Sequence, residues 1–255
     1  MIVIRSPWEL ERLTVSGRVV AEILQAVKER LVPGVSTQEL DELAHRHCKK
    51  KKVMPAFNGY HGYPYSLCVS VNEEVVHGFP SGRKLASGDI VSIDFGVCCE
   101  GYYGDAALTV AIGAVPPVAG KLIRVTREAL FLGLDRVKAG NRLGDVSEAI
   151  QTHVENQGFS VVRHFVGHGI GKALHEDPQI PNFGTAGRGP VLKPGMVLAI
   201  EPMVNAGGSE VEILSDGWTA VTKDRSLSAH FEHTVAVTEN GCRILSESGS
   251  QNLLF

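Results

Sequence analysis

The feature that most constrains how this chain can fold is a duplication. LASGDIVSID at 85–94 lines up with LKPGMVLAIE at 192–201, with Leu, Gly, an aliphatic stretch and an acidic last residue in register. PGVSTQELDELAHRH at 33–47 lines up with AGNRLGDVSEAIQTH at 139–153 at nearly the same spacing, and DAALTVAIG at 105–113 resembles EHTVAVTENG at 232–241. Each match is weak, but three in one order argue for two related halves, about 1–113 and 114–248, within a single domain 1–255. Each half reads alike. A long amphipathic helix is expected over Pro7–Leu31 and over Pro117–Lys138, each with a proline suited to a first turn. A second helix is expected over Thr37–Lys51, begun by Thr37 and Glu39, and over Gly144–Gln157. Strands follow in both halves. The expected class is α/β (α+β), with an antiparallel sheet and helices packed on one face.

GDIVSIDFGVCCEGYYGD at 88–105 reads as a hairpin turning near Glu100-Gly101. Val91, Ile93, Phe95 and Val97 share one face, and Ser92, Asp94, Gly96 and Cys98 share the other. A two-residue turn places Asp94 and Asp105 on that second face as direct or diagonal neighbours, within roughly 8 Å. Two carboxylates so close share a proton, face water or hold a cation. In the second half Glu201 stands where Asp94 does, and Glu232 where Asp105 does. Packing of the halves about a pseudo-two-fold gathers four acids, with no Lys or Arg in these strands to offset them. A metal site resolves that repulsion. VRHFVGHGIGKALHEDP at 162–178 adds His164, His168 and His175, and His168 lies between Gly167 and Gly169, which let the backbone approach a site closely. Four carboxylates and one imidazole favour hard or borderline divalent ions such as Mn, Fe or Co, alone or as a pair. His77, in EEVVHGFP, falls at a strand end.

Taken together, NEEVVHGFP, GDIVSIDFGV…GYYGDAA, GHGIGKALHEDP, AIEPMVN and DGWTAVTKDRSLSAHFEHTVAVT resemble the type I methionine aminopeptidases, metallohydrolases of the "pita-bread" fold. The resemblance covers nearly the whole chain. It implies a curved antiparallel sheet with helices on its outer face, and a single catalytic domain. It implies two divalent ions (Co, Mn, Fe or Zn) held by Asp94, Asp105, His168, Glu201 and Glu232, with Asp105 and Glu232 between them. Glu201 is then the proton shuttle. His175 is the hydrogen-bond donor to the scissile carbonyl, and His77 the contact to the scissile nitrogen or leaving group. Tyr60, Tyr63, Cys68 and Trp218 are placed around a narrow slot for the methionine side chain. Leu174 stands where the bacterial pattern often has Phe, a departure that bears on the shape of this pocket. The implied partners are the N-terminal Met of peptides and nascent chains and, through them, the ribosome. A cytoplasmic monomer of compact bacterial or organellar form is expected.

Composition narrows the alternatives. A net charge of −3 offers no general surface for nucleic acid. No apolar run approaches a membrane span, and MIVIRSPWEL has no signal-peptide core. Five cysteines without a CxxC pair read as free thiols of a reducing compartment. The rival readings are an X-Pro aminopeptidase or prolidase of the same fold, a binding protein on an inactive scaffold, and a purely structural metal site.

Overall fold

The computed structural model describes residues 1–247; the final residues assigned to the domain, 248–255, lie outside the described residues. Four helices carry the outer layer. Helix α1 (Pro7–Lys28) starts in a capping box: the Glu9 N–H donates to Ser6 Oγ, and the Ser6 N–H donates to the Glu9 carboxylate. Helix α2 (Thr37–Lys51) spans the expected residues, but its cap is Ser36, not Thr37. Thr37 is the first helical residue, and its hydroxyl donates instead to Ser81 O.

Helices α1 and α3 (Pro117–Leu134) stop short of the expected ends, Leu31 and Lys138. In both, the following amides turn back to carbonyls three residues earlier: Arg30 and Leu31 to Val27 and Lys28, Arg136 and Val137 to Gly133 and Leu134. After α1 the chain also meets Pro33, which disfavours helix at Val32. Helix α4 (Leu143–Asn156) begins and ends one residue before its expected span.

Among the described residues the main sheet has nine strands, all paired antiparallel. Its path runs Met54–Pro55, Ile90–Cys99, Tyr102–Ala111, Glu232–Val237, Val197–Ile200, Gly167–Gly169, Glu176–Ile180. Cys68–Val71 pairs with Ile90–Cys99, and Cys242–Ile244 with Glu232–Val237. The sheet curls around the acidic face, with the helices outside. The four middle strands set the matched sequence segments at mirrored positions, and the join between them is Tyr102–Ala111 against Glu232–Val237. There Glu232 faces Ala107 and His233 faces Ala106. The Thr234 hydroxyl ties the join, donating to Asp105 O at 2.7 Å and accepting the Asp105 N–H at 3.1 Å.

The hairpin turns on Glu100 (φ +50°) and Gly101 (φ +82°). Two left-handed residues match the right-handed twist of the flanking strands. The register sets Asp94 opposite Ala107 and Gly96 opposite Asp105, so the two acids are diagonal neighbours on one face. The other face supplies Val91, Ile93, Phe95 and Val97 to the core, together with Val20, Leu24 and Val27 of α1.

Helix α1 crosses this hairpin with its backbone almost in contact. A Cβ at Gly104 would lie 2.8 Å from Gly17 N and 2.9 Å from Ser16 C. Gly104→Ala is therefore expected to push the helix off the strand and lower the unfolding free energy by about 2 kcal/mol. The check is a urea denaturation midpoint shifted at unchanged slope; an unshifted midpoint would show that the helix yields freely.

Candidate metal centre

The acids arrive on the curled face by strand register. Asp94 and Asp105 come from the hairpin, Glu232 opens its strand, Glu201 directly follows Val197–Ile200, and His168 sits in Gly167–Gly169. One ligand atom each from Asp105, His168 and Glu232 lies within 4.8 Å of the other two. Glu201 Oε1 is 3.5 Å from His168 Nε2. His168 Nδ1 is 2.9 Å from Gly169 O, which can only accept, so Nδ1 carries the ring proton and Nε2 keeps its lone pair toward the acids.

Among the described residues, Asp94 Oδ1, Asp105 Oδ1 and Glu232 Oε1 are buried without a hydrogen-bond partner. Burial pushes Asp94 up to about 7. Burial, and then the neighbouring carboxylates, hold Asp105, Glu201 and Glu232 well above the usual range. Burial also lowers His168 to about 3, so the imidazole is neutral and free to ligate. Orphaned carboxylate oxygens around a neutral imidazole lone pair are the donor set of a divalent cation.

A cavity of about 270 Å³ opens beside the acids. Every side chain assigned to the pocket from sequence lines it: Tyr60, Tyr63, Cys68, His77, His175 and Trp218. Cys68 pairs directly with Asp94 across two strands, and burial and that acid keep its thiol protonated. Tyr63 is anchored by its hydroxyl to Gly78 O at 3.0 Å and packs edge-on to Trp218 at 5.2 Å. Trp218 is presented by Asp216, whose carboxylate accepts the Trp218 and Thr219 N–H groups. His77 follows the strand Glu74–Val76 with φ +62°, a strained backbone for a non-glycine residue, and its ring meets Trp218 and Phe165 edge-on. Leu174 is buried and lines the cavity beside His175. His164 does not join; it is exposed and meets Phe165 edge-on.

The turn that carries His175 is braced from the N-terminal segment. Glu176 accepts the Lys172 and Ala173 N–H groups at 2.8 and 3.1 Å and pairs with the Arg5 guanidinium, whose side chain is only 4% exposed. Gly171 leaves no room for a Cβ against that guanidinium.

A family model described as "Metallopeptidase family M24" matches residues 11–239. This chain belongs to that family. It is 53% identical to methionine aminopeptidase 1 of Bacillus subtilis over 96% of its own length and 99% of that protein's. It superposes on the crystal structure of the Thermotoga maritima methionine aminopeptidase with a TM-score of 0.96, at 52% identity, covering 97% of this chain and all of the other. The Pyrococcus horikoshii prolidase shares the fold alone: TM-score 0.79 at 20% identity, with 65% of its chain covered. The expected pita-bread fold is therefore present, and the M24 chain is a metallopeptidase.

Other side chains of the M24 site with no role assigned from sequence include His61, Phe165 and His230. His61 and Phe165 line the cavity. His230 is fully buried, with Nε2 unpartnered 3.8 Å from Glu201 Oε2. His230 lies two residues before Glu232, the one sequence signal that points to it, although it ends Ser228–His230, a strand of a separate sheet. Its backbone is held by Thr109, whose hydroxyl donates to His230 O and accepts the His230 N–H, both at 2.9 Å.

Proposed function

We propose that this chain is a single catalytic domain of two related halves, about 1–113 and 114–248, which removes the N-terminal methionine from peptides and nascent proteins. The observation that carries the reading is the gathering of four carboxylates, Asp105 and Glu232 buried and Asp94 and Glu201 half-buried, and a neutral His168 beside an apolar cavity with His77 and His175 on its wall. Asp94, Asp105, His168, Glu201 and Glu232 would hold two divalent ions, Co, Mn, Fe or Zn. When bound, such ions acidify an attacking water and polarise the scissile carbonyl. The chain's own groups supply the rest. The substrate's free α-amine would bind at this occupied centre, which limits cutting to the first peptide bond. Tyr63, Cys68 and Trp218 enclose the unbranched thioether side chain, with sulfur against ring edges. A Glu201 carboxylate oxygen accepts the water's proton and delivers it to the departing nitrogen. His175 donates a hydrogen bond to the carbonyl oxygen as charge develops there. His77 contacts the scissile nitrogen. The reading extends to a monomer acting in the cytoplasm on chains that leave the ribosome. Among the described residues no helix is long and apolar enough to cross a membrane.

The test is a peptide assay after chelation and metal add-back, comparing Met-Ala-Ser, Leu-Ala-Ser and Met-Pro-Gly. Metal-dependent release of Met from Met-Ala-Ser, without leucine release, is expected. Preference for Met-Pro-Gly would move the reading to an X-Pro peptidase, and no release with any metal would sink it.

The carboxylates also set a pH dependence. Burial raises Asp94 from its ordinary range, about 4, to about 7. In metal-stripped protein its contribution to stability is present at low pH and is lost as pH rises toward about 7. Metal binding needs the ionised form, so it gains over the same window. The thermal stabilisation given by Mn²⁺ should be larger at about pH 7.5 than at about pH 5.5. Equal shifts at both, read by scanning fluorimetry, would count against these acids as the ligands.

A further inference from the structure

His168 and His175 lie side by side, ring centroids 4.2 Å apart, and their outer nitrogens meet different chemistry. His168 Nδ1 faces a carbonyl, which forces the proton onto Nδ1. His175 Nδ1 lies 2.7 Å from the Tyr60 phenol oxygen. A phenol can donate or accept. Among the described residues, however, the Tyr60 hydroxyl has no hydrogen-bond partner other than His175 Nδ1. Burial raises Tyr60 further above its already high value, so the hydroxyl keeps its proton. The hydroxyl is thus placed to direct that proton at the Nδ1 lone pair. The proton of the neutral His175 ring then resides on Nε2, and the ring lines the cavity. Tyr60 is itself held in place: its N–H donates to Phe57 O at 2.9 Å, its ring packs edge-on to His61 at 4.4 Å, and the preceding Gly59 takes φ +87°.

We propose that Tyr60 is a positioning residue whose hydroxyl donates to His175 Nδ1 and fixes that imidazole in the Nε2–H tautomer, opposite to the tautomer of His168. Two adjacent histidines thereby divide the work. His168 presents a lone pair to a cation, and His175 presents an N–H to an oxygen that gains negative charge. This gives Tyr60 a task beyond walling the side-chain slot. Its kinetic consequence rests on the reading of His175 as donor to the scissile carbonyl.

The experiment uses zinc-loaded protein labelled with 15N-histidine, with long-range 1H–15N correlations assigned through His175→Ala. The wild type is expected to show His175 protonated at Nε2 and His168 at Nδ1. In Tyr60→Phe, His175 should become a mixture of tautomers while His168 is unchanged. In the same variant kcat for methionine release should fall about tenfold, with KM little altered. A wild-type His175 proton on Nδ1 overturns the proposal. So does a Tyr60→Phe variant whose His175 spectrum is unmoved, or whose kcat is unmoved while His175→Ala is inactive. The nitrogen shifts are read without turnover. A wild type that releases no methionine would therefore refute the proposed function while the spectra still decide the tautomer, and an active His175→Ala would refute only the donor role of His175.

Discussion

Glu201→Gln is expected to lower kcat for methionine release by roughly a thousandfold, within the range for loss of a proton-transfer group. Glutamine keeps a carbonyl oxygen where the carboxylate stood but accepts no proton at neutral pH. The position is suited to a shuttle. Glu201 follows the strand Val197–Ile200 and is bracketed by imidazole nitrogens, His168 Nε2 at 3.5 Å from one oxygen and His230 Nε2 at 3.8 Å from the other. The Glu201 backbone carbonyl is held by the Asn182 amide at 3.0 Å, so the substitution leaves the backbone anchored. Because the proposed role combines ligation with proton transfer, metal affinity should be measured by calorimetry beside turnover. A deficit that persists at saturating metal identifies the shuttle. Full recovery at saturating metal would reduce Glu201 to a ligand.

Arg5→Met should cost about 3 kcal/mol of folding stability, the lower end for breaking a buried ion pair from one side. Arg5 is buried at its guanidinium and bonded through its backbone N–H to Gly195 O at 2.8 Å, and Gly195, like Gly171, approaches it too closely for a side chain. Glu176 stays partly satisfied by two backbone N–H groups, which keeps the expected loss from being larger. Methionine fills similar volume, so the loss reports charge and hydrogen bonding rather than a cavity. The measurement is the denaturation free energy of Arg5→Met, Glu176→Gln and the double variant. Strong coupling between the two sites is expected. Additive, small losses would show that water replaces the pair without penalty. The His175 turn is braced by the same Glu176, so a lower kcat should accompany the lost stability.

The hairpin was legible because alternation, a Gly turn and paired acids all encode the same register. The acid cluster was legible because the duplication repeats it, and a repeated placement of Asp94 with Glu201 and Asp105 with Glu232 carries more information than any one acid. Other parts depend on contacts between segments far apart in the chain. Arg5 reads as an ordinary residue before a helix; only the space left by Gly171 and Gly195 makes it a brace. The Tyr60–His175 bond joins a loop to a turn 115 residues away. His230 sits beside Glu201 because Ser228–His230 pairs with Met203–Asn205, a pairing that no local pattern announces. Helix ends were misjudged where the final turn tightens before Pro33 or Gly140, since apolar spacing continues while the hydrogen-bond pattern changes.

The gathered side chains enter the chain in the order Asp94, Asp105, His168, Glu201, Glu232. The join of Tyr102–Ala111 to Glu232–Val237 closes the set. During synthesis, then, the first two acids are made long before the residues that complete their surroundings. A growing chain holds a repelling acidic pair and no finished binding site until the strand carrying Glu232 has been added. On the proposed ligand set, ion capture is thus a late event in synthesis, and loss of this single strand pairing would take the site apart.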